Sequence, residues 1–402
     1  MSEERLVPKL RFSGFDDEWI IKKLNDVSDV NPKTRELPEK FVYIDLDSVN
    51  HGILTKFNQI TKNEAPSRAQ RCLNVNDILF QTVRPYQMNN LFFELYDGEY
   101  VASTGYAQIK SKIVPKFLYY YLHYNKFVNE VLNRCTGTSY PAINSNDLKK
   151  IKIKIPSSSN EQRLIGDLFY KLDQKIELLK DKYNYYQDFK KFLMQQIFTQ
   201  KLRFDKTSEW ETFALNDIGK TYNGLSGLSK DNFEKGNSKY ITYKSIFDNN
   251  ILKSDFTENV DLNNKSQNEV KKGDLFFTGS SETPEEVGMV SVLSSTVEDC
   301  YLNSFCFGFR LNNNYDVNPL FLVYYLRSPI MRNKIMILAQ GSTRFNLSKK
   351  EILKLKVEIP SISEQQQIID LFQNVDNKIN EISIQTDNFN KFKKGLLQQM
   401  FV

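Results

Sequence analysis

Two short loops carry side chains suited to contacts with nucleic acid: TGTSYP from Thr136 to Pro141, and GSTRF from Gly341 to Phe345. Thr138, Ser139, Ser342 and Thr343 offer hydroxyls that can bond phosphates or base edges. The glycines permit close backbone approach, and Arg344 can grip guanine through two parallel bonds. Tyr140 stands in the first loop where the second has Arg344. The plain alternative is a turn that caps the following helix, through Asn144-Ser145-Asn146-Asp147 in one case and Ser348 in the other. A second set follows a strand that occurs twice, as Asp77-Ile78-Leu79-Phe80 and Asp274-Leu275-Phe276-Phe277. Gln81, Thr82, Arg84, Tyr86 and Gln87 come after the first copy; Thr278, Ser280, Ser281 and Glu282 come after the second. Arg84 suits guanine and Gln87 suits adenine, with solvated loop side chains as the alternative. Arg68 and Arg71 form a third candidate set, either for phosphate or as a surface pair.

These loops recur because the chain is written twice. The stretch from Phe117 matches that from Phe321 at an offset of 204, which becomes 203 when one residue is lost before Glu364. KLRF opens both halves, at Lys9 to Phe12 and at Lys201 to Phe204. Glu18-Trp19 then answers Glu209-Trp210, and Leu24-Asn25-Asp26 answers Leu215-Asn216-Asp217. A period near 200 residues is too long for a solenoid and fits duplication of a whole domain with its connector. Between these landmarks little matches beyond the repeated strand. The divergence fits a shared scaffold with two recognition surfaces, or loops that merely drift faster than helices.

In the first half FVYIDL, DILFQTV and LFFELY read as strands of a mixed sheet; in the second, KYITYKSI, DLFFTG, VGMVSVL and YLNSFCFGFRL do. Each head closes with a strand ending at Pro156 or Pro360. Beyond it, Ile165, Leu168, Leu172, Ile176, Leu179, Tyr183, Tyr186, Phe189, Leu193 and Ile197 advance in threes and fours. Ile368, Leu371, Val375, Ile379, Ile382, Thr386, Phe389, Phe392, Leu396 and Met400 repeat the pattern. This spacing predicts two helices of about 39 residues, roughly 58 Å each at ~1.5 Å per residue, each with one apolar seam. Glu161 and Glu364 lie in the first turns, where acids favour the helix dipole.

An amphipathic rod must bury its seam, and the order globule, helix, globule, helix lets the second rod return antiparallel along the first. The expected fold class is α+β: two tandem mixed α/β heads joined by a coiled-coil spacer in a pseudo-twofold dumbbell, with Met1 near Val402. The expected boundaries are 1–156, 157–200, 201–360 and 361–402. A bundle shared with another subunit stays open, because Tyr183, Tyr185, Tyr186 and Phe189 exceed what a two-helix seam covers.

Several function classes recede. Of 402 residues only two are histidine and four cysteine, without CxxC spacing, which speaks against a zinc or disulfide framework and suits a reducing cytoplasm. No signal core or membrane-length apolar run is present. A net charge of +5 is compatible with nucleic acid without demanding it. Tyr119 to Tyr121, with Tyr324 and Tyr325, read as helix core rather than base-stacking groups. His123 has Arg327 as its counterpart, so no metal or acid–base role is expected. Gly219-Lys220-Thr221 lacks the first glycine of a phosphate loop. Asn31-Pro32 and Asn318-Pro319 do not extend into an adenine-methylation tetrad, and Asp261 with Glu269 and Lys271 is a chance nuclease-like set.

Taken together, KLRF with the following Glu-Trp, the GDLFF-like strand, TGTSYPAIN, QGSTRFNLS, and IP followed by EQ and a helix ending FKKFLMQQIF or FKKGLLQQMF resemble the specificity (S) subunit of type I restriction and modification enzymes. The resemblance spans essentially the whole chain. It implies two target-recognition domains, each reading one half of an interrupted, asymmetric double-stranded DNA site. It also implies helices that dock two modification (methyltransferase) subunits, and restriction (translocase/nuclease) subunits as further partners. On this view the chain is non-catalytic and binds no cofactor; S-adenosylmethionine, ATP and Mg belong to partner subunits. A stand-alone nuclease with tandem recognition heads is the competing enzyme class, and a structural coiled-coil adaptor the third.

Overall fold

The structure, a computed structural model, describes residues 5–263 and 266–402. The chain forms two compact units, Met1–Lys180 with Ser383–Val402, and Asp181–Ile382.

In the first unit an antiparallel sheet runs in the order Ser28–Val30, Tyr106–Ser111, Ile78–Gln81, Leu91–Phe92. A second sheet runs Asn58–Thr61, Lys40–Ile44, Tyr100–Ser103, Ala69–Cys72, its central pair parallel. The second unit repeats the first order with Gly219–Asn223, Cys306–Leu311, Leu275–Thr278 and Val290–Leu293, and adds Ile251–Leu252 at the edge. Its other sheet, Thr257–Val260, Phe233–Ile241, Cys300–Leu302, again has a parallel pair between the last two strands. Sequences that scarcely match therefore fold over one strand order. Ile78–Gln81 and Tyr106–Ser111 in one unit, and Leu275–Thr278, Val290–Leu293 and Cys306–Leu311 in the other, are each buried on both faces over four consecutive residues, so a short, largely apolar run is what these ladders need, and many sequences supply it.

Three strand expectations need correcting. KYITYKSI is strand only to Ile241; Thr242 then caps a helix, Tyr243–Asp248, by accepting the Ser245 N–H. That cap outweighs the β-branched composition of the segment. YLNSFCFGFRL breaks at Asn303 and divides between the two sheets, as Cys300–Leu302 and Cys306–Leu311. LFFELY keeps only Leu91–Phe92 as strand. Among the described residues the strands of each unit also divide among several sheets rather than one mixed sheet: two four-stranded sheets in the first unit, and one five-stranded and two three-stranded sheets in the second, beside two-stranded pairs.

The long helices are Ser159–Phe198 and Ile362–Met400. In the first unit Phe401 stacks on Phe169, and Lys393 pairs with Asp173. In the second, Phe198 stacks on Phe372, and Lys190 pairs with Asp376. As one partner's number falls the other's rises, so the helix segments within each unit run antiparallel. The seam residues are buried or half-buried except Phe392, which is 55% exposed. Met1 lies outside the described residues, but the Leu10 N–H donates to the Gln399 carbonyl at 2.9 Å, and Leu6 and Phe12 pack on the core that contains Phe401.

Each core centres on five equivalent aromatic rings. Trp19, Phe117, Tyr121, Phe169 and Phe401 meet in the first unit; Trp210, Phe321, Tyr325, Phe372 and Phe198 meet in the second. The tyrosines read as helix core are indeed buried.

Beside these rings lies a repeated polar latch. Arg11 grips Glu161 through two bonds of 2.7 and 2.9 Å, and the Trp19 indole donates to the same carboxylate at 3.2 Å. Arg203, Glu364 and Trp210 repeat this at 2.9, 2.9 and 3.1 Å. Both acids lie in the first turn of their helix, as the sequence places them, and are in addition buried ion-pair acceptors, 0% and 1% exposed. Gln162 and Gln365 continue the latch by donating to the carbonyls of Pro156 and Pro360 while accepting the N–H of Val114 and Asn318. The Glu-Gln pair thus ties the start of each long helix to the strand before it and to the globule.

Candidate nucleic-acid interface

The loops that the sequence presents as separate sets are joined in both units. In the first, Val83 bridges Ala142, the Arg84 N–H donates to the Pro141 carbonyl at 2.8 Å, and the Ile143 N–H donates to Thr82 at 3.0 Å. In the second, Ser280–Ser281 pairs antiparallel with Phe345–Leu347, and the Leu347 N–H donates to Gly279 at 2.9 Å. The segment after the repeated strand is thus zipped to the Gly-Thr-Ser or Gly-Ser-Thr loop.

Next to each zipper lies an open cavity. That of the first unit, about 1210 Å³, is lined by Arg68, Gln81, Arg84, Gln87 and Tyr140 of the candidate set, together with Lys56. Arg84 sits 4.4 Å from the centroid of the Tyr140 ring, a cation–π contact that holds the guanidinium in one orientation. Arg84 and Met88 have φ of 54° and 52°, left-handed values that side-chain-bearing residues rarely adopt, and they flank the short helical turn Pro85–Gln87 on either side. The second unit's cavity, about 340 Å³, is lined by Ser280, Ser281, Glu282 and Arg344 of the candidate set, with Tyr243, Phe247, Phe305 and Glu286. There Arg344 lies 5.7 Å from the Phe305 centroid.

Four candidates are committed to internal bonds. Gln81 donates to the Val83 carbonyl and to Gln87, each at 2.8 Å, and accepts the Asn89 N–H at 3.1 Å. Thr82 donates to the Gly105 carbonyl at 2.8 Å, the Thr278 hydroxyl accepts the Met289 N–H at 2.8 Å, and Ser281 donates to Thr283. These side chains shape the loops. Arg68, Tyr86, Gln87, Thr138, Ser139, Tyr140, Ser342, Thr343 and Arg344 are exposed, and Arg84 and Ser280 half-exposed. Arg71 is partly buried, and burial lowers its pKa.

The loop glycines serve the turn. A Cβ at Gly341, where φ is 133°, would lie 2.1 Å from the Arg344 carbonyl oxygen. The capping alternative holds for Asn144, which accepts the Asp147 N–H at 2.9 Å, whereas Ser348 makes no side-chain cap.

The motifs set aside have structural roles. Gly219-Lys220-Thr221 is part of a strand paired with Cys306–Leu311, so it cannot wrap a phosphate. Asn318 caps the helix Pro319–Leu326. Asp261 and Glu269 accept separate backbone N–H groups, from Asn263 and Asp299. His123 is bonded to the Tyr119 carbonyl, to Asn90 and to the Met88 backbone, and burial pushes its pKa down to about 4. Among the described residues no helix is long and apolar enough to cross a membrane.

Sequence reasoning missed Phe305, Tyr243, Phe247 and Glu286. Tyr243 and Phe247 had a readable signal, their i, i+4 spacing behind the cap Thr242; Phe305 had none, because only the break between two strands exposes it.

A family model described as the type I restriction modification DNA specificity domain matches residues 16–185 and 207–388. The MjaVIII specificity subunit of a type I restriction enzyme from Methanocaldococcus jannaschii is 22% identical over 90% of this chain and 85% of its own length. The sequence named for the MjaX specificity subunit of the same organism is 26% identical over 48% of this chain, which spans 45% of that relative's length. Among solved structures, a chain from a study of complex assembly and conformational transition in a type I R-M system superposes with a TM-score of 0.63. It is 19% identical, with 97% of this chain and 99% of that chain covered.

Proposed function

Because this chain belongs to the type I restriction modification DNA specificity family, we propose that it reads an asymmetric two-part DNA sequence, one half with each unit, on behalf of modification subunits that it docks. The observation that carries this reading is the pair of equivalent zippers beside open cavities of unlike chemistry. In each, an arginine leans on an aromatic ring, Arg84 on Tyr140 and Arg344 on Phe305. A guanidinium held in this way offers its fork to guanine O6 and N7 without first losing rotamer freedom. The exposed hydroxyls of Thr138, Ser139, Ser342 and Thr343 and the cation of Arg68 grip phosphate, which sets register without reading sequence. Gln87 and Tyr86 complete the first unit's surface, and Ser280 the second's.

Chemistry on the bound DNA belongs to the partners. Two methyltransferase subunits supply S-adenosylmethionine and the flipped-base pocket, and restriction subunits use ATP and Mg, all in the cytoplasm. This chain binds no cofactor and contributes selection alone. Exchanging residues 12–155 for the equivalent head of a relative tests the reading: methylation-aware sequencing should show one half of the modified site changed and the other intact. Changes in both halves would refute independent reading. DNA cleavage by the purified chain with metal alone would point instead to a stand-alone nuclease.

A further inference from the structure

The second unit's cavity reverses the charge of the first unit's cleft. Lys56, Arg68 and Arg84 face Asp45 and Asp47 in the first, and the Asp45 carboxylate is occupied by the Asp47 N–H and the Ser48 hydroxyl at 3.1 and 2.6 Å. In the second, Glu282 and Glu286 share the cavity with Arg344 as its one cation. Both glutamates are exposed, and among the described residues neither forms an ion pair.

The cavity wall is built before any ligand arrives. Tyr243 and Phe247 lie one helical turn apart with rings 6.3 Å apart and 15° from parallel. The end of their helix is held by Arg327, whose guanidinium donates to the carbonyls of Ile246, Phe247 and Asn249 at 2.7, 3.2 and 2.8 Å, and to Val290 at 2.5 Å. The Tyr243 hydroxyl ties the start of the helix to the Ser280 carbonyl at 2.7 Å. A wall fixed in this way can discriminate by shape and polarity, since little must reorganise on binding.

A carboxylate turned toward DNA weakens binding by repelling phosphate, and this loss is offset only when the carboxylate accepts a hydrogen bond from a base. In the major groove the available donors are exocyclic amino groups, N4 of cytosine and N6 of adenine. Thymine O4 and guanine O6 would face the carboxylate with lone pair against lone pair. We propose that Glu282 and Glu286 are specificity determinants of the second unit, which accept an exocyclic amino group of the target and reject bases that present an oxygen there. The proposal rests on the DNA-reading function above and adds the polarity of one position in the site. Arg344, in the same cavity, takes the opposite polarity from a neighbouring position, so a base step of unlike donors and acceptors is read as a unit. Selection here works as much by excluding wrong bases as by attracting the right one.

The test uses the full-length chain assembled with its modification subunits, and selection from a library of duplexes randomised across the half-site at two salt concentrations. Wild type is compared with Glu282→Met, Glu286→Met and the double variant, since methionine removes the carboxylate acceptor without supplying the donor–acceptor pair by which glutamine would bind adenine. Glu285→Gln serves as the control, because it makes the same charge change on the same loop with a residue outside the cavity lining. Wild type should select cytosine or adenine at one strand position, and the base recovered tells the two amino groups apart. The double variant should lose about tenfold in preference over thymine or guanine at that position, while its binding to unrelated DNA strengthens. Glu285→Gln should leave the preference intact. An equal gain in affinity on every sequence, matched by Glu285→Gln, would show that the carboxylates only repel the backbone and would overturn the proposal. Unchanged selectivity in the double variant would overturn it as well. If wild type itself shows no preference in this half, the DNA-reading function falls and the pocket's role falls with it, a result visible before any substitution is made.

Discussion

The two units share what holds them together and differ in what they present. Arg11, Trp19 and Glu161 have counterparts of the same type in Arg203, Trp210 and Glu364, with distances alike to within about 0.2 Å. At the zippered loops the matched position changes from Tyr140 to Arg344, and the cavity beside it changes from mainly basic to mainly acidic. A buried charge tolerates little change, because removing one partner strands the other without water. A solvated loop side chain can be exchanged at almost no cost to folding, so function can vary there while the frame stays put.

The severest way to break this comparison is to cut the latch. Glu161→Ala and Glu364→Ala each remove a buried carboxylate that a half-buried arginine and a buried indole share, and should each cost about 3 to 5 kcal/mol. The loss should fall on one unit at a time, as read by hydrogen exchange resolved along the chain; equal loosening of both units would mean that they do not fold as separate bodies. Phe401→Ala and Phe198→Ala should be comparable, about 3 to 5 kcal/mol, since each removes a ring from a five-ring cluster. If Phe401→Ala loosened only the last helix and left Trp19 and Phe117 protected, the cluster would not be the core described above.

Smaller effects sharpen the contrast between the surfaces. Arg344→Ala and Arg84→Ala should each cost about 1 to 3 kcal/mol on the cognate site and relax one base pair, in opposite halves. An equal loss on all sequences, with the salt slope reduced by about 0.9, would reassign either residue to phosphate. Least in size is a pH effect. Burial pushes the Glu364 carboxyl up, but the bonds from Arg203, the Asp205 N–H and Trp210, with the charge of Arg203, outweigh it and hold the pKa below its ordinary value. A depressed folded-state pKa adds stability above the unfolded value, and this is lost as pH falls through the folded one. The second unit should therefore weaken progressively below about pH 4.5, and Glu364→Gln should remove that part of its acid sensitivity in urea titrations.

Much of the frame was legible because it is periodic or duplicated. The seam from Ile165 to Ile197 gives a helix by spacing alone, and the tyrosines at 119 to 121 announce a core by their apolar neighbours. The latch had a signal, since Arg, Trp and Glu recur in both halves. Its meaning was hidden, because Arg11 and Glu161 are 150 residues apart and only folding makes them neighbours. The same limit hid the zippers: Thr82 and Ile143 look like members of two loops until a hydrogen bond joins them. Gln81 and Thr278 looked available for contact because polarity is visible in a sequence and burial is not.

The first unit is discontinuous: its aromatic cluster needs Phe401, which follows Phe169 in the chain by more than 200 residues. On a ribosome that adds about 5 to 20 residues per second, the half of the protein made first waits at least ten seconds or so for its last ring. The second unit, Asp181–Ile382, is continuous and has all of its own chain earlier. Birth order and completion order are thus opposed. Until Phe401 is added, the nascent chain carries an unplugged pocket around Trp19 and Phe117, an apolar surface open to water during that interval.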